Sequence, residues 1–148
     1  MSIVDGVLGT GTGTDVIRVR KTYTFAGGAG TGAAGTVVFF TITGHVRVSR
    51  IVATCATDLT TTGAATLALG VTGQTSIFIA ATVATTIDAN LIWMSATATS
   101  GGLAEPAITL DTVITANIIG TVAAFDITGG SLNFLVEYVP ITTNGSLV

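Results

Sequence analysis

The chain has 148 residues, of which 49% are hydrophobic and 9% charged, against about 25% charged in ordinary globular domains. Its mean hydropathy is +0.79 and its formal net charge −3, yet no run of roughly 20 predominantly apolar residues exists to make a membrane-spanning helix. A single cysteine, Cys55, excludes an intrachain disulfide and a cysteine-based zinc cluster, and a single histidine, His45, excludes a histidine-rich metal site.

Charge is unevenly placed. All five bases lie between Arg18 and Arg50, so residues 1–50 carry +3 and residues 51–148 carry −6. Lysines and arginines keep most folded monomers dissolved, so a chain with so few reads as a subunit covered by neighbours. The length fits one domain. Met1–Leu8 has no basic start and contains Asp5, which argues against a signal peptide. Synthesis in a reducing cytoplasm is the expectation.

Residues 1–15 end in the alternation Gly9-Thr10-Gly11-Thr12-Gly13-Thr14. Such side-chain-poor material cannot nucleate a core, and it reads as an extended, flexible arm that a partner would order. Val16–Phe25 alternates, with Ile17, Val19, Tyr23 and Phe25 on one face and Arg18, Arg20, Thr22 and Thr24 on the other. Lys21 falls on the apolar face and marks a bulge or an edge. After a Gly/Ala loop, read as a flexible hairpin, Thr36–Thr43 is apolar on both faces, as in a central strand. His45–Ala56 is long, and its alternation slips near Arg50-Ile51, predicting a bulge or a bend between sheets.

Ala65–Val71 alternates cleanly, and Thr72-Gly73-Gln74 turns into Thr75–Ala80. Ala81–Ala89 reads as a short helix or a loop, Leu91–Ser95 as a strand holding Trp93, and Ala96–Pro106 as a long loop. Ile108–Ile119 gives one or two strands, and Ser131–Pro140 closes the domain. Threonine, a β-former tolerant of either face, makes up about a fifth of the chain. The expectation is an all-β domain over residues 16–142, a sandwich or barrel of about eight to ten strands, with a short tail at 143–148.

No motif commits the chain to a reaction. Gly30–Gly35 matches a dinucleotide-binding pattern, but β-type residues follow where a helix must begin. His45 reads as a surface or strand-end residue, and Cys55 as a small buried one. The pairs Asp58 with Asp88 and Asp111 with Asp126 read as turn-capping aspartates in preference to a calcium site or a glycosidase couple. Asn144-Gly145-Ser146 matches a glycosylation sequon but reads as a terminal turn. No cofactor, metal or catalytic residue is expected. Arg18, Arg20, Lys21, Arg47 and Arg50 lie on strands expected to neighbour one another, and form a candidate docking patch for a larger acidic partner or a sister copy. Five bases without interleaved aromatics make a poor phosphate track, so nucleic acid is not an expected partner, and neither is a membrane.

Asp58-Leu59-Thr60, Gly63–Gly70, Ile77–Thr82, Ile87-Asp88-Ala89 and the closing strand Leu132–Tyr138 resemble small proteins of tailed-bacteriophage structural modules. The likeness covers residues 45 to 142. It implies a non-enzymatic virion component, foremost a head decoration (cement) protein with a β-sandwich or jelly-roll fold. Made in the host cytoplasm, such a protein sits on the capsid surface against the major capsid protein. The arm would then lie on the lattice or on an adjacent copy. A homo-oligomer, with a trimer as one form, follows from the apolar composition. The rival readings are another virion part (minor capsid, head fibre or tail protein) and a carbohydrate-binding or adhesion sandwich.

Overall fold

The computed structural model describes residues 15–95 and 108–148. Apart from Asp15, the expected arm lies outside the described residues, as does the loop expected over Ala96–Pro106. The strands are β1 (Ile17–Thr24), β2 (Gly35–Phe40), β3 (Ile42–Thr43), β4 (Val46–Thr61), β5 (Thr66–Val71) and β6 (Gln74–Val83). A 3-10 turn, Ala84–Thr86, is followed by β7 (Ile108–Ile114), β8 (Ile118–Ala123), β9 (Ile127–Pro140) and β10 (Ser146–Leu147).

Two four-stranded antiparallel sheets, β1-β9-β4-β7 and β2-β8-β5-β6, form a sandwich, and β3 pairs with β10 in a small third sheet. Four pairings are nested in the sequence: β5 with β6, β4 with β7, β2 with β8 and β1 with β9. A long antiparallel ribbon wrapped so that successive pairs fall in alternate sheets gives this order. It is the eight-stranded jelly roll, in which the sandwich is built from two Greek keys.

Alternation decides which side chains enter the core. Val46, Val48, Ile51, Ala53 and Cys55 of β4 point inward, facing Leu67 and Leu69 of β5. An aromatic group links the sheets. Phe39 packs against Phe134 with ring centres 4.7 Å apart and planes tilted by 39°, and Tyr23 meets Phe39 edge-on at 4.9 Å. Gly120 is required there, because a Cβ on it would come within 2.7 Å of the Phe39 ring.

Several expectations change on folding. β4 does bulge between Val48 and Arg50, but it stays in one sheet for all 16 of its residues. The Gly30–Gly35 loop joins two sheets and is not a hairpin. It is held in place: Ile127 N donates to Gly32 O at 2.8 Å, and Tyr23 Oη donates to Gly30 O at 2.7 Å. Leu91–Ser95 forms only one isolated bridge, Thr54 with Ile92. It still runs along β4, with Trp93 N donating to Ala53 O at 2.9 Å, in the lane that β7 continues. The C-terminal residues are not a free tail, since Ser146 and Leu147 pair with Thr43 and Ile42 and Leu147 is buried.

The jelly-roll topology sorts the connections into two ends. The β1–β2, β4–β5 and β8–β9 loops share one end, and Asp126 ties them together. Its Oδ1 accepts from Ala34 N at 2.9 Å, its carbonyl accepts from Thr62 N, and its own N–H donates to Thr62 Oγ1. The opposite end holds the start of β1, the β5–β6 turn, the β7–β8 turn and the C-terminus.

Candidate docking surface

All five bases lie on the β1-β9-β4-β7 sheet. Arg18 and Arg20 project outward from β1, opposite in parity to Val19 and Tyr23, which pack on the core. Arg47 and Arg50 project outward from β4, and the bulge after Val48 restores the inward position of Ile51. Lys21 shares the inward parity of Val19 and Tyr23. Because β1 is an edge strand, its chain escapes to solvent and its Nζ lies 5.4 Å from the centre of the buried Phe40 ring. The register of β1 on β9 is unbroken, so Lys21 marks an edge, not a bulge. An inward-pointing charge of this kind discourages a further strand from adding to the edge.

Two carboxylates share the outer face with the four guanidinium groups. Arg18 Nε donates to Glu137 Oε2 at 2.8 Å, and Arg50 Nη1 stands 3.9 Å from Glu137 Oε1. Arg47 Nη1 donates to Asp111 Oδ1 at 2.9 Å. Glu137 is the fixed member, its side chain 13% exposed while that of Arg18 is 63% exposed. Exposed pairs of this type contribute about 0–1 kcal/mol each, so they orient the guanidinium groups more than they stabilise the fold. Arg20 forms no ion pair among the described residues. It borders a shallow groove of about 420 Å³ floored by Val52 and Leu135 and edged by Thr22, Thr54 and Asn133. Thr22 Oγ1 donates to Asn133 Oδ1 at 2.6 Å across that groove.

The other sheet is unlike this one. No residue of β2, β5, β6 or β8 is charged. Val38 and Val83 are exposed on it, and Ile119, whose parity is outward, is buried.

The remaining sequence candidates do not assemble. His45 is exposed just before β4. Asp58 lies within β4 and its Oδ1 accepts from Ala89 N at 2.6 Å, while Asp126 accepts from Ala34 N. Each side chain thus ties down a loop distant in sequence, and neither caps a turn of its own. Asp111 is on an outer face and Asp126 in a loop, so they form no couple. Cys55 is buried, and burial, with the nearby Asp58 carboxylate adding, pushes its thiol up to about 11. Among the described residues no three His, Cys, Asp or Glu side chains group as metal ligands, and no helix is long and apolar enough to cross a membrane. Glu137 was not singled out from sequence, and Asp111 was considered only beside Asp126, not as the partner of Arg47. The alternation of β9 does place Glu137 on the outward face, but its pairing with Arg18 spans 119 residues.

No protein-family model matches the chain, and no curated protein matches it. Among solved structures, a chain of the cyanophage Pam1 capsid asymmetric unit is similar in fold. The identity is 19%, the TM-score 0.47, and 84% of each chain is covered.

Proposed function

We propose that this chain is a non-enzymatic structural protein of a virus particle, and specifically a capsid decoration protein that self-associates and docks on the head shell. One observation carries the reading: the sandwich has two unlike faces. One outer face holds four guanidinium groups against two carboxylates. The other sheet is built without a single charge. A coat subunit needs both kinds of surface. The basic face suits an acidic shell through long-range attraction, and the uncharged one suits sister copies through burial that salt does not screen. The jelly-roll topology, which recurs in viral capsid domains, supports the same reading, as does the resemblance to tailed-phage structural modules.

The aromatic side chains weigh against a carbohydrate-binding module. Trp93 and Tyr138 are buried, and Tyr23 is half-buried, with its hydroxyl engaged by Gly30. Mass spectrometry of purified virus particles tests the proposal. Stoichiometric presence on the head is the expected result, and absence from particles would overturn it. Light scattering at micromolar concentration supplies the second test: an oligomer that persists in high salt is expected, and a monomer overturns the self-association.

A further inference from the structure

We propose that two copies of this chain join through the uncharged β2-β8-β5-β6 sheet in a two-fold contact anchored by Phe125. The inference rests on the reading of that sheet as the surface for sister copies, and it assigns the contact to particular side chains.

The backbone holds Phe125 out. Of the nine aromatic side chains it alone is exposed, at 47%. Ala124 before it has φ 72°, and Phe125 N donates to Ala123 O at 2.9 Å. A hydrogen bond closing over one residue of positive φ is a γ-turn of the rare, strained form. Strain of this kind persists only where the surroundings over-determine it. Here Thr62 N donates to Asp126 O, Asp126 N donates to Thr62 Oγ1, and Ala34 N donates to the Asp126 carboxylate. The ring lies across Gly63, where a Cβ would come within 2.7 Å of it. Folding thus fixes an apolar ring on the surface in advance, which lowers the ordering cost of association.

The ring adjoins an apolar row on the sheet. Ala123 pairs with Thr66, and Thr66 with Val83. All three point outward, opposite in parity to the buried Val122, Leu67 and Thr82. Val83 is 46% exposed, and Val38 of β2 is 42% exposed on the same face. Ile17 opens β1 at the other end of the sandwich, and Ile108 pairs with Ile51, roughly 30 Å along β4 from Thr61. The anchor is therefore remote from the points where the described chain breaks off.

Charge selects the occupant. In a two-fold contact each patch meets its own copy, so a patch with net charge repels itself. The outer face of β1-β9-β4-β7 sets four guanidinium groups against two carboxylates and would do so. No residue of β2, β5, β6 or β8 is charged, so this sheet meets its copy without repulsion. A rigid aromatic anchor ringed by small, near-neutral side chains is also the arrangement that concentrates binding energy.

Sedimentation velocity of the full chain across a dilution series tests the contact. Wild type is expected to dimerise with a dissociation constant that holds in high salt. Phe125→Ala should raise that constant at least about tenfold while Trp93 fluorescence stays native. Val83→Asp, which sets a charge against its own copy, should weaken the dimer more at low salt than at high. Arg20→Ala, on the opposite face, should leave it unchanged. Independently of any variant, hydrogen exchange at 123–125 should slow as the wild-type concentration rises. A chain that stays monomeric at every concentration overturns the self-association reading and this inference together. An assembled wild type whose constant a natively folded F125A leaves unmoved overturns this inference alone. So does a trimer, a dimer that R20A disrupts, a V83D dimer as tight as wild type, or exchange at 123–125 that ignores concentration.

Discussion

Trp93 is fully buried and bridges the two sheets, so its hydrogen bond offers a sharp test of the packing. Its backbone N–H bonds Ala53 of β4, while its Nε1 donates to Thr82 Oγ1 of β6 at 2.9 Å. Thr82 is 1% exposed, and its hydroxyl in turn donates to Ala80 O at 3.2 Å. Thr82→Val keeps the volume but leaves the indole N–H with no acceptor, which costs about 1–3 kcal/mol. For a domain of this size, ~2 kcal/mol lowers Tm by about 6 °C. Thr82→Ser keeps the hydroxyl and deletes one buried methyl, for about 1 kcal/mol. Urea unfolding followed by the fluorescence of this sole tryptophan measures both. The expected order is wild type, then Ser, then Val, at constant m. A Val variant within 0.5 kcal/mol of wild type, or a Ser variant less stable than Val, would refute the bridging role.

Three further outcomes follow from local geometry. Gly32→Ala is expected to cost about 3 kcal/mol or to prevent folding, because at φ +141° its Cβ would strike Ile127 O; thermal melts of the expressed variant measure this. Asp126→Ala strips the acceptor from Ala34 N–H and should cost about 1–2 kcal/mol, whereas Asp126→Asn retains an acceptor and should cost less, as denaturant midpoints will show. Cys55 should be inert to thiol reagents at neutral pH until the chain unfolds. Since its pKa rises from 9.0 to about 11 on folding, the unfolded state binds fewer protons across that interval. Stability is therefore expected to fall as pH rises from about 9 to about 11 and to be insensitive to this group below, a trend that unfolding across alkaline pH will reveal.

Much of the fold was legible from side-chain alternation, which acts within a strand. Ser131–Pro140 read correctly because it buries one face, and Val16–Phe25 because Val19, Tyr23 and Phe25 pack on the core, although Ile17 of the same face stays exposed. The mismatch at Lys21 fell on an edge strand. Strand partnership was not legible. β1 meets β9 across more than a hundred residues, and nothing local in either strand encodes the other. Leu91–Ser95 misled for a related reason: Trp93 is buried and apolar like a strand residue, yet it is held by single bonds to β4 and β6 without a ladder. The glycines of 30–35 suggested looseness, whereas a hydrogen bond from Ile127, far away in sequence, and one from Tyr23, seven residues before Gly30, pin that loop. For the candidate surface, alternation put Arg18 and Arg20 outward on β1, whereas Arg47 and Arg50 differ in parity and share the outer face only because β4 bulges between Val48 and Arg50. Their union on one face depended on β9 standing between β1 and β4.

The nested pairing also orders the folding reaction in time. β5 and β6 meet across Thr72 and Gly73 alone, so this hairpin is the cheapest loop to close. Each pair outside it must bridge a longer stretch of chain, and β1 can dock on β9 only after β9 has been made. On a ribosome, the sheet that carries all the arginines is thus the one left waiting, because its interior strand β9 is made after the seven other strands of the sandwich.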